Sequence, residues 1–179
     1  MKPWLSRTGI VLAMAAVIHL IVIVGFPRVV MRVVSYVTQR DGIAVNTLHH
    51  APRVNEEARG VVRPSPDLVY SFCNFDLSDG PLRIQAPVPD TYWSLSLFKD
   101  NTDNFFVIND RQVQADRVDY LLVGPDSEVE APSGVEVIQA PTNRGALLFR
   151  LLVMDESRLE ELVEVQRQAS CGPFSPTAE

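Results

Sequence analysis

Residues 92–109 read YWSLSLFKDNTDNFFVIN. Two apolar runs, Tyr92–Phe98 and Asn104–Asn109, flank the polar cluster Asp100-Asn101-Thr102-Asp103. β-Branched and aromatic residues bounded by such a cluster mark strands, and Asp, Asn and Thr readily bond their own backbone in a turn. The segment is expected to be a hairpin with a polar tip. An EF-hand calcium loop starting at Asp100 is excluded, because that pattern wants Gly at 105 and Glu at 111, where this chain has Phe105 and Arg111.

The same texture extends outward on both sides. Leu68–Phe75, Leu82–Ala86, Asp119–Gly124, Val135–Gln139 and Gly145–Asp155 are further strand candidates, separated by turn clusters such as Ser78-Asp79-Gly80-Pro81 and Pro87-Val88-Pro89-Asp90. Strands following one another without helical patterns between them predict a mainly β domain of jelly-roll or β-sandwich type. The expected core takes Tyr70, Phe72, Leu82, Ile84, Trp93, Leu95 and Leu97 from the first strands, and Phe106, Ile108, Leu121, Val123, Leu147 and Phe149 from the later ones. One C-terminal helix is expected to close the domain. Ser157-x-x-Glu160 fits a capping box, Leu159, Leu162, Val163 and Gln166 form the inner face, and Gly172-Pro173 ends the pattern.

Ahead of this domain lies GIVLAMAAVIHLIVIVGF, residues 9–26, with no charge inside it and Lys2 and Arg7 before it. At ~1.5 Å per residue it reaches about 27 Å, close to the ~30 Å hydrocarbon core of a bilayer. It exceeds the ~7–15 residues of a signal-peptide core, and Ala13-Met14-Ala15 falls inside it, so an uncleaved single-pass anchor is expected. After Pro27, Arg28, Arg32, Ser35 and Gln39 follow at helical spacing among valines. That stem either lies in the membrane interface or simply extends the anchor, with Pro27 expected to kink or restart the helix. His19, Arg28 and Arg32 are the candidate membrane-interface residues, His19 because a polar group at that depth usually faces another protein segment. The expected division is a basic flank over 1–8, the anchor over 9–26, an amphipathic stem over 27–40, a linker over 41–61, the β domain over 62–172 and a disordered tail over 173–179.

Charge is split along the chain. Residues 1–40 hold five basic and no acidic residues, while residues 41–179 hold eleven basic and twenty-two acidic ones, a formal −11. An acidic domain repels phosphate backbones, which argues against nucleic-acid binding, while the basic stem suits anionic lipid headgroups. The flanks leave membrane orientation undecided, since the basic residues nearly balance on the two sides. Cys73 and Cys171 are either one disulfide in an oxidising compartment or two unrelated thiols, with Cys171 in a frayed tail.

Only three histidines exist, and His49-His50 are the two outside the anchor. Adjacent residues on an extended backbone point to opposite sides, so they do not form a ready metal site. With no nucleophile elbow, no CxxC and no phosphate loop, no catalytic residue, metal or cofactor is assigned.

The stretches RPSPDLVYSFCNFDLSDGPLRI (63–84), YWSLSLFKDNTDNFFVINDR (92–111), YLLVGP (120–125) and APTNRGALLFRLLV (140–153) resemble the domain-of-unknown-function 1254 family, in particular its short, membrane-anchored bacterial branch. The resemblance implies a β-rich, jelly-roll-like fold and no established activity. Longer relatives fuse this domain to one of the domain-of-unknown-function 1214 family, so a partner chain of that family, or a larger membrane complex, is the implied partner. The family's recurring polar positions correspond here to Asp67, Tyr70, Asp100, Asn101, Asn104, Asn109 and Arg144.

The favoured expectation is a non-enzymatic β domain on the periplasmic side of a bacterial inner membrane, acting as an interaction or accessory subunit of an envelope complex. The alternative is a small-molecule-binding module or enzyme with a cavity inside the β domain, lined by Tyr70, Trp93 and Asn104. Tyr70, Trp93, Asp100, Asn101, Asn104 and Arg144 are accordingly the candidate ligand or interface residues.

Overall fold

A computed structural model describes residues 3–58 and 64–175. Its first element, α1, runs from Pro3 to Arg40 as one helix, with Pro27 inside it. At ~1.5 Å per residue α1 is about 57 Å long, nearly twice the ~30 Å apolar slab of a bilayer. Ser6–Arg40 is long and apolar enough to cross a membrane. The expected flank, anchor and stem are thus one continuous element from residue 3 onward. Proline removes one backbone donor, and the Arg28 guanidinium donates to the Val24 carbonyl at 2.8 Å in the same stretch.

Among the described residues, nine strands follow in two sheets. In chain order they are β1 (His49–His50), β2 (Leu68–Asp76), β3 (Leu82–Pro87), β4 (Trp93–Lys99), β5 (Asn104–Asn109), β6 (Arg117–Val123), β7 (Glu136–Gln139), β8 (Arg144–Leu152) and β9 (Ser170–Pro173). One sheet has the order β1-β2-β8-β4-β5 and the other β7-β6-β3-β9. All pairs are antiparallel except β6 with β7. The two sheets share one apolar core, to which Phe75, Trp93, Leu97 and Phe149 come from the first and Leu82, Ile84, Tyr120 and Leu122 from the second. The mainly β fold with a long N-terminal apolar helix and a C-terminal helix is therefore as expected.

Register decides which side chains enter that core, because a shift of one residue turns every side chain to the other face. In β2 the buried core-facing positions are Val69, Ser71, Cys73 and Phe75; on the alternate face Asn74 is buried too, while Tyr70 and Phe72 are half-buried. The expected core placement of Tyr70 and Phe72 is thus corrected. In β6 the residues turned to the shared core are Val118, Tyr120 and Leu122. Leu121 and Val123 are fully buried too, but alternate with them on the opposite face.

The C-terminal helix is also built differently at its start. Asp155 caps a 3-10 turn over Glu156–Arg158, accepting from the Ser157 amide at 2.9 Å, and α2 (Leu159–Gln168) continues from it without a side-chain cap of its own. The Ser157/Glu160 capping box is therefore not used. Leu162 and Gln166 are buried, as the spacing predicts. The chain then forms β9, and the Phe174 amide donates to the Pro81 carbonyl at 2.9 Å, so the expected tail does not begin at 173. Residues 176–179 of that tail lie outside the described residues.

Segment 41–58 is packed structure. β1 pairs with β2, the Ala51 amide donates to the Tyr70 carbonyl at 2.9 Å, Gln166 Nε2 donates to the same carbonyl at 2.7 Å, and Arg53 pairs with Glu156. The expected linker over 41–61 is thus part of the domain up to residue 58, and residues 59–63 lie outside the described ones.

Gly145, on the central strand β8, sits where a Cβ would run into the Phe98 carbonyl and the Phe75 ring. Gly145→Ala should cost about 3 kcal/mol through overpacking against backbone, read as a lowered Tm of the detergent-solubilised chain. An unchanged Tm would show that this contact relaxes freely.

Candidate functional site

The last three turns of α1 lie against the end of the first sheet where β2 finishes and β8 begins. Arg28, Met31, Ser35 and Thr38 recur at three- and four-residue spacing and are half-buried, as is the neighbouring Val30, whereas Arg32 and Gln39 stay exposed. The Asn74 side chain donates to Thr38 Oγ1 at 2.6 Å. After Arg40 the chain turns sharply. The Asp41, Gly42 and Ile43 amides donate to the carbonyls of Val37, Gln39 and Thr38 at 3.0 Å each, with Gly42 at φ +85°.

Asn46 then fastens the turn to β2. Its amide donates to the Asn74 carbonyl at 2.9 Å, its side-chain nitrogen donates to the Asp76 carbonyl at 2.8 Å, and its side-chain oxygen accepts from the Asp76 amide at 2.7 Å. It does so at φ 60°, a left-handed conformation that asparagine tolerates better than most residues.

Between helix and sandwich runs a groove of about 690 Å³. Met31, Arg32, Ser35 and Tyr36 line one wall, and Asn74, Asp76, Asp100 and Arg144 belong to the other. Arg144 Nε donates to Asp76 Oδ2 at 2.7 Å. Burial alone would raise the Asp76 carboxyl, but hydrogen bonds from Ser78 and then Arg144 hold it below its ordinary value. The β4–β5 tip closes on the same side, where Lys99 pairs with Asp103 at 2.8 Å. Asp103 is held low first by the Lys99 hydrogen bond, then by Asn101, with a smaller contribution from Arg28. The tip therefore lies within electrostatic reach of the helix.

Three of the expected residues, Arg32, Asp100 and Arg144, thus meet in this groove. The others separate. Trp93 is fully buried, packed on Phe149 with ring centroids 6.2 Å apart, and lies in register with Leu151 on the core face. Tyr70 is in register with Arg150 on the opposite face, and its hydroxyl accepts from the Ser65 amide at 2.9 Å. Asn104 spans the irregularity between β4 and β5, donating to the Leu97 and Phe106 carbonyls at 3.2 and 3.1 Å. These three therefore line no common cavity. Asn101 serves the hairpin tip, donating to Asp103 Oδ2 at 2.9 Å. His19 is exposed on α1.

The histidine pair is divided as its backbone predicts. His49 packs edge-on to Phe72, and His50 Nδ1 is 2.9 Å from Ser71 Oγ. Burial, then His49, lowers the His50 pKa, and Ser71 is fully buried on the core face. That contact fills a structural place, since a substrate has no access to the hydroxyl. Among the described residues no group of three His, Cys, Asp or Glu side chains is arranged to hold a metal. What the groove offers is charge and hydrogen bonding: an exposed guanidinium, a carboxylate and an ion pair. That is the chemistry of holding a polar group.

Thr38, Asn46 and Asn74, the residues that build this junction, escaped the sequence reading. Thr38 was legible as the continuation of Arg28, Met31 and Ser35. Asn46 carries no local signal, because its partners lie thirty residues away.

Comparison with known proteins gives a family match and a fold match. A family model described as "Protein of unknown function (DUF1254)" covers residues 45–173. No curated protein matches. The crystal structure of the VPA0106 protein from Vibrio parahaemolyticus superposes with a TM-score of 0.68 at 16% identity, over 86% of this chain and 36% of that one. An uncharacterised protein from Burkholderia cenocepacia matches with a TM-score of 0.46 at 19% identity, over 61% of this chain and 32% of that one. The chain spans about a third of the length of these solved structures.

Asn46→Ala should remove both side-chain bonds to Asp76 and strain the left-handed turn, at a cost of about 2–3 kcal/mol. Asn46→Gly should recover part of that loss, because glycine accepts the backbone angle without restoring the bonds. The check is the Tm of the two variants, and equal losses would show that the backbone angle contributes nothing.

Proposed function

The chain belongs to the DUF1254 family, and on that premise we propose that it is a membrane-anchored, non-enzymatic β domain serving as an interaction subunit of a bacterial envelope complex. Its sandwich faces the periplasm, and its partner is a protein of the domain-of-unknown-function 1214 family or a larger membrane assembly. The observation that carries this reading is the junction at Thr38, Asn46 and Asn74, which ties the sandwich to the emerging helix. A catalyst that only needs to be near a membrane works on a slack tether. A subunit that must present one face to a neighbour gains from a fixed one, because less conformational freedom is lost on docking.

Length supports the same reading. The domain covers 36% of the Vibrio structure that it matches, so a protein of that size carries further chain beside the shared fold. In the proposal a separate partner supplies the counterpart of that chain. The anchor supports it too: His19 is exposed at the middle of the apolar stretch, where an imidazole facing lipid alone is costly and a neighbouring helix would satisfy it.

The test is purification of the C-terminally tagged chain from native membranes in a mild detergent, with mass identification of proteins at stoichiometric level. One defined membrane partner is the expected result, and His19→Leu should reduce its recovery severalfold. A chain that purifies alone contradicts the subunit reading.

A further inference from the structure

The chain has two cysteines, and they converge from opposite sheets. Cys73 is on β2, in register with Leu147 of the first sheet, and Cys171 is on β9, in register with Ile84 of the second. Both point into the core, 0% and 6% exposed, and their Sγ atoms are 3.0 Å apart. Of the two readings that the sequence allows, the one with Cys171 in a frayed tail is removed, since it sits inside a paired strand. The sulfurs lie within about 1 Å of the ~2.05 Å separation of a bonded pair.

We propose that Cys73 and Cys171 are joined in the native protein by a disulfide that staples the two sheets together and locks the last strand in place. β9 is an edge strand of four residues held by β3 alone, and it follows α2 directly. Such a strand frays easily. A bond from its second residue to the middle of β2 closes a loop across 98 positions, so that β9 and α2 stay attached when their hydrogen bonds open. The proposal rests on the periplasmic reading above, because an oxidising compartment is where such a bond persists.

The chemistry balances with an external oxidised thiol–disulfide donor. The Cys171 thiolate attacks one sulfur of the donor's disulfide, the donor S–S bond breaks, and its other sulfur leaves as a thiol. Cys73 then attacks Cys171 Sγ in the mixed disulfide and expels the donor as a dithiol, which carries away two electrons and both protons. Cys171 acts first because it is on the edge strand. In the closed sandwich the hydrogen bond with Cys171, and after it burial, push the Cys73 thiol up, so exchange runs while β9 is being laid down.

The test uses the full chain from native membranes. Cells are quenched in acid, free thiols are alkylated with N-ethylmaleimide under denaturing conditions, and the unreduced digest is mapped by mass. In parallel, alkaline phosphatase fused after Glu179 reports the side on which the domain lies. A peptide pair linked through Cys73 and Cys171 is expected, together with a fall of roughly 10 °C in Tm on adding reductant, absent in Cys171→Ser. Both thiols alkylated beside an active phosphatase would overturn the disulfide and leave the topology standing. Both alkylated beside a stable but inactive phosphatase would overturn the disulfide and the periplasmic reading together. If Cys171→Ser does not fold, the peptide map of the unaltered chain decides alone.

Discussion

Asn46 exchanges two side-chain hydrogen bonds with the backbone of Asp76 while Thr38 receives one from Asn74, and the placement of the sandwich relative to its helix depends on these bonds. They are made at the end of the first sheet, where β2 finishes, β8 begins and the β4–β5 tip comes within reach of Arg28. α1 is about 57 Å long against a ~30 Å hydrocarbon slab. If α1 crosses a bilayer, nearly half of it therefore stands outside the slab, and the sandwich is fixed to the C-terminal end of the helix. The groove, with Arg32, Asp100 and Arg144, is a consequence of this docking and would not exist if the helix swung free.

Rigidity at the junction would be of little use on a soft domain. The two sheets share a single core in which Trp93, Phe149, Leu82, Leu97, Leu122 and Leu151 are among the side chains essentially sealed from solvent. Cores at crystal-like density transmit displacement instead of absorbing it. A force on the outer face of either sheet is thus carried to the helix, the element long and apolar enough to cross a membrane. Energetically, the cost of ordering helix, turn and sandwich relative to one another is met during folding, which is what the proposed subunit role would draw on.

The strands that repeat a clear period were legible in the sequence. β4 and β5 around their Asp-Asn-Thr-Asp turn, β2, β3, β6 and β8 all lie where composition put them. β1 and β9 were not, because His-His and Ser-Cys-Gly-Pro carry none of the β-branched residues that marked the others, and both are strands only through a neighbour far away in the chain. The register of β2 was misread for a related reason. Tyr70 and Phe72 are larger than Val69 and Ser71, yet the second pair is buried, since the face is set by Cys73 and Phe75 farther along the strand. The candidate site was partly legible: Arg32, Asp100 and Arg144 meet, whereas Trp93 and Tyr70 turn to opposite faces. Polar residue types mark sites and turns alike, and only the three-dimensional pairing distinguishes them.

The claim on which the rest stands is that helix, turn and sandwich form one body. Amide hydrogen exchange of the full chain in lipid nanodiscs measures it most directly, at residues 41–46, which lie beyond α1 and before the first strand. Four amides there, those of Asp41, Gly42, Ile43 and Asn46, are hydrogen-bonded. Protection of that segment comparable to β2 is the predicted result, with a large drop in Asn46→Ala. Exchange within seconds, beside a protected β2 and a protected α1, would mean a slack tether and would contradict the account.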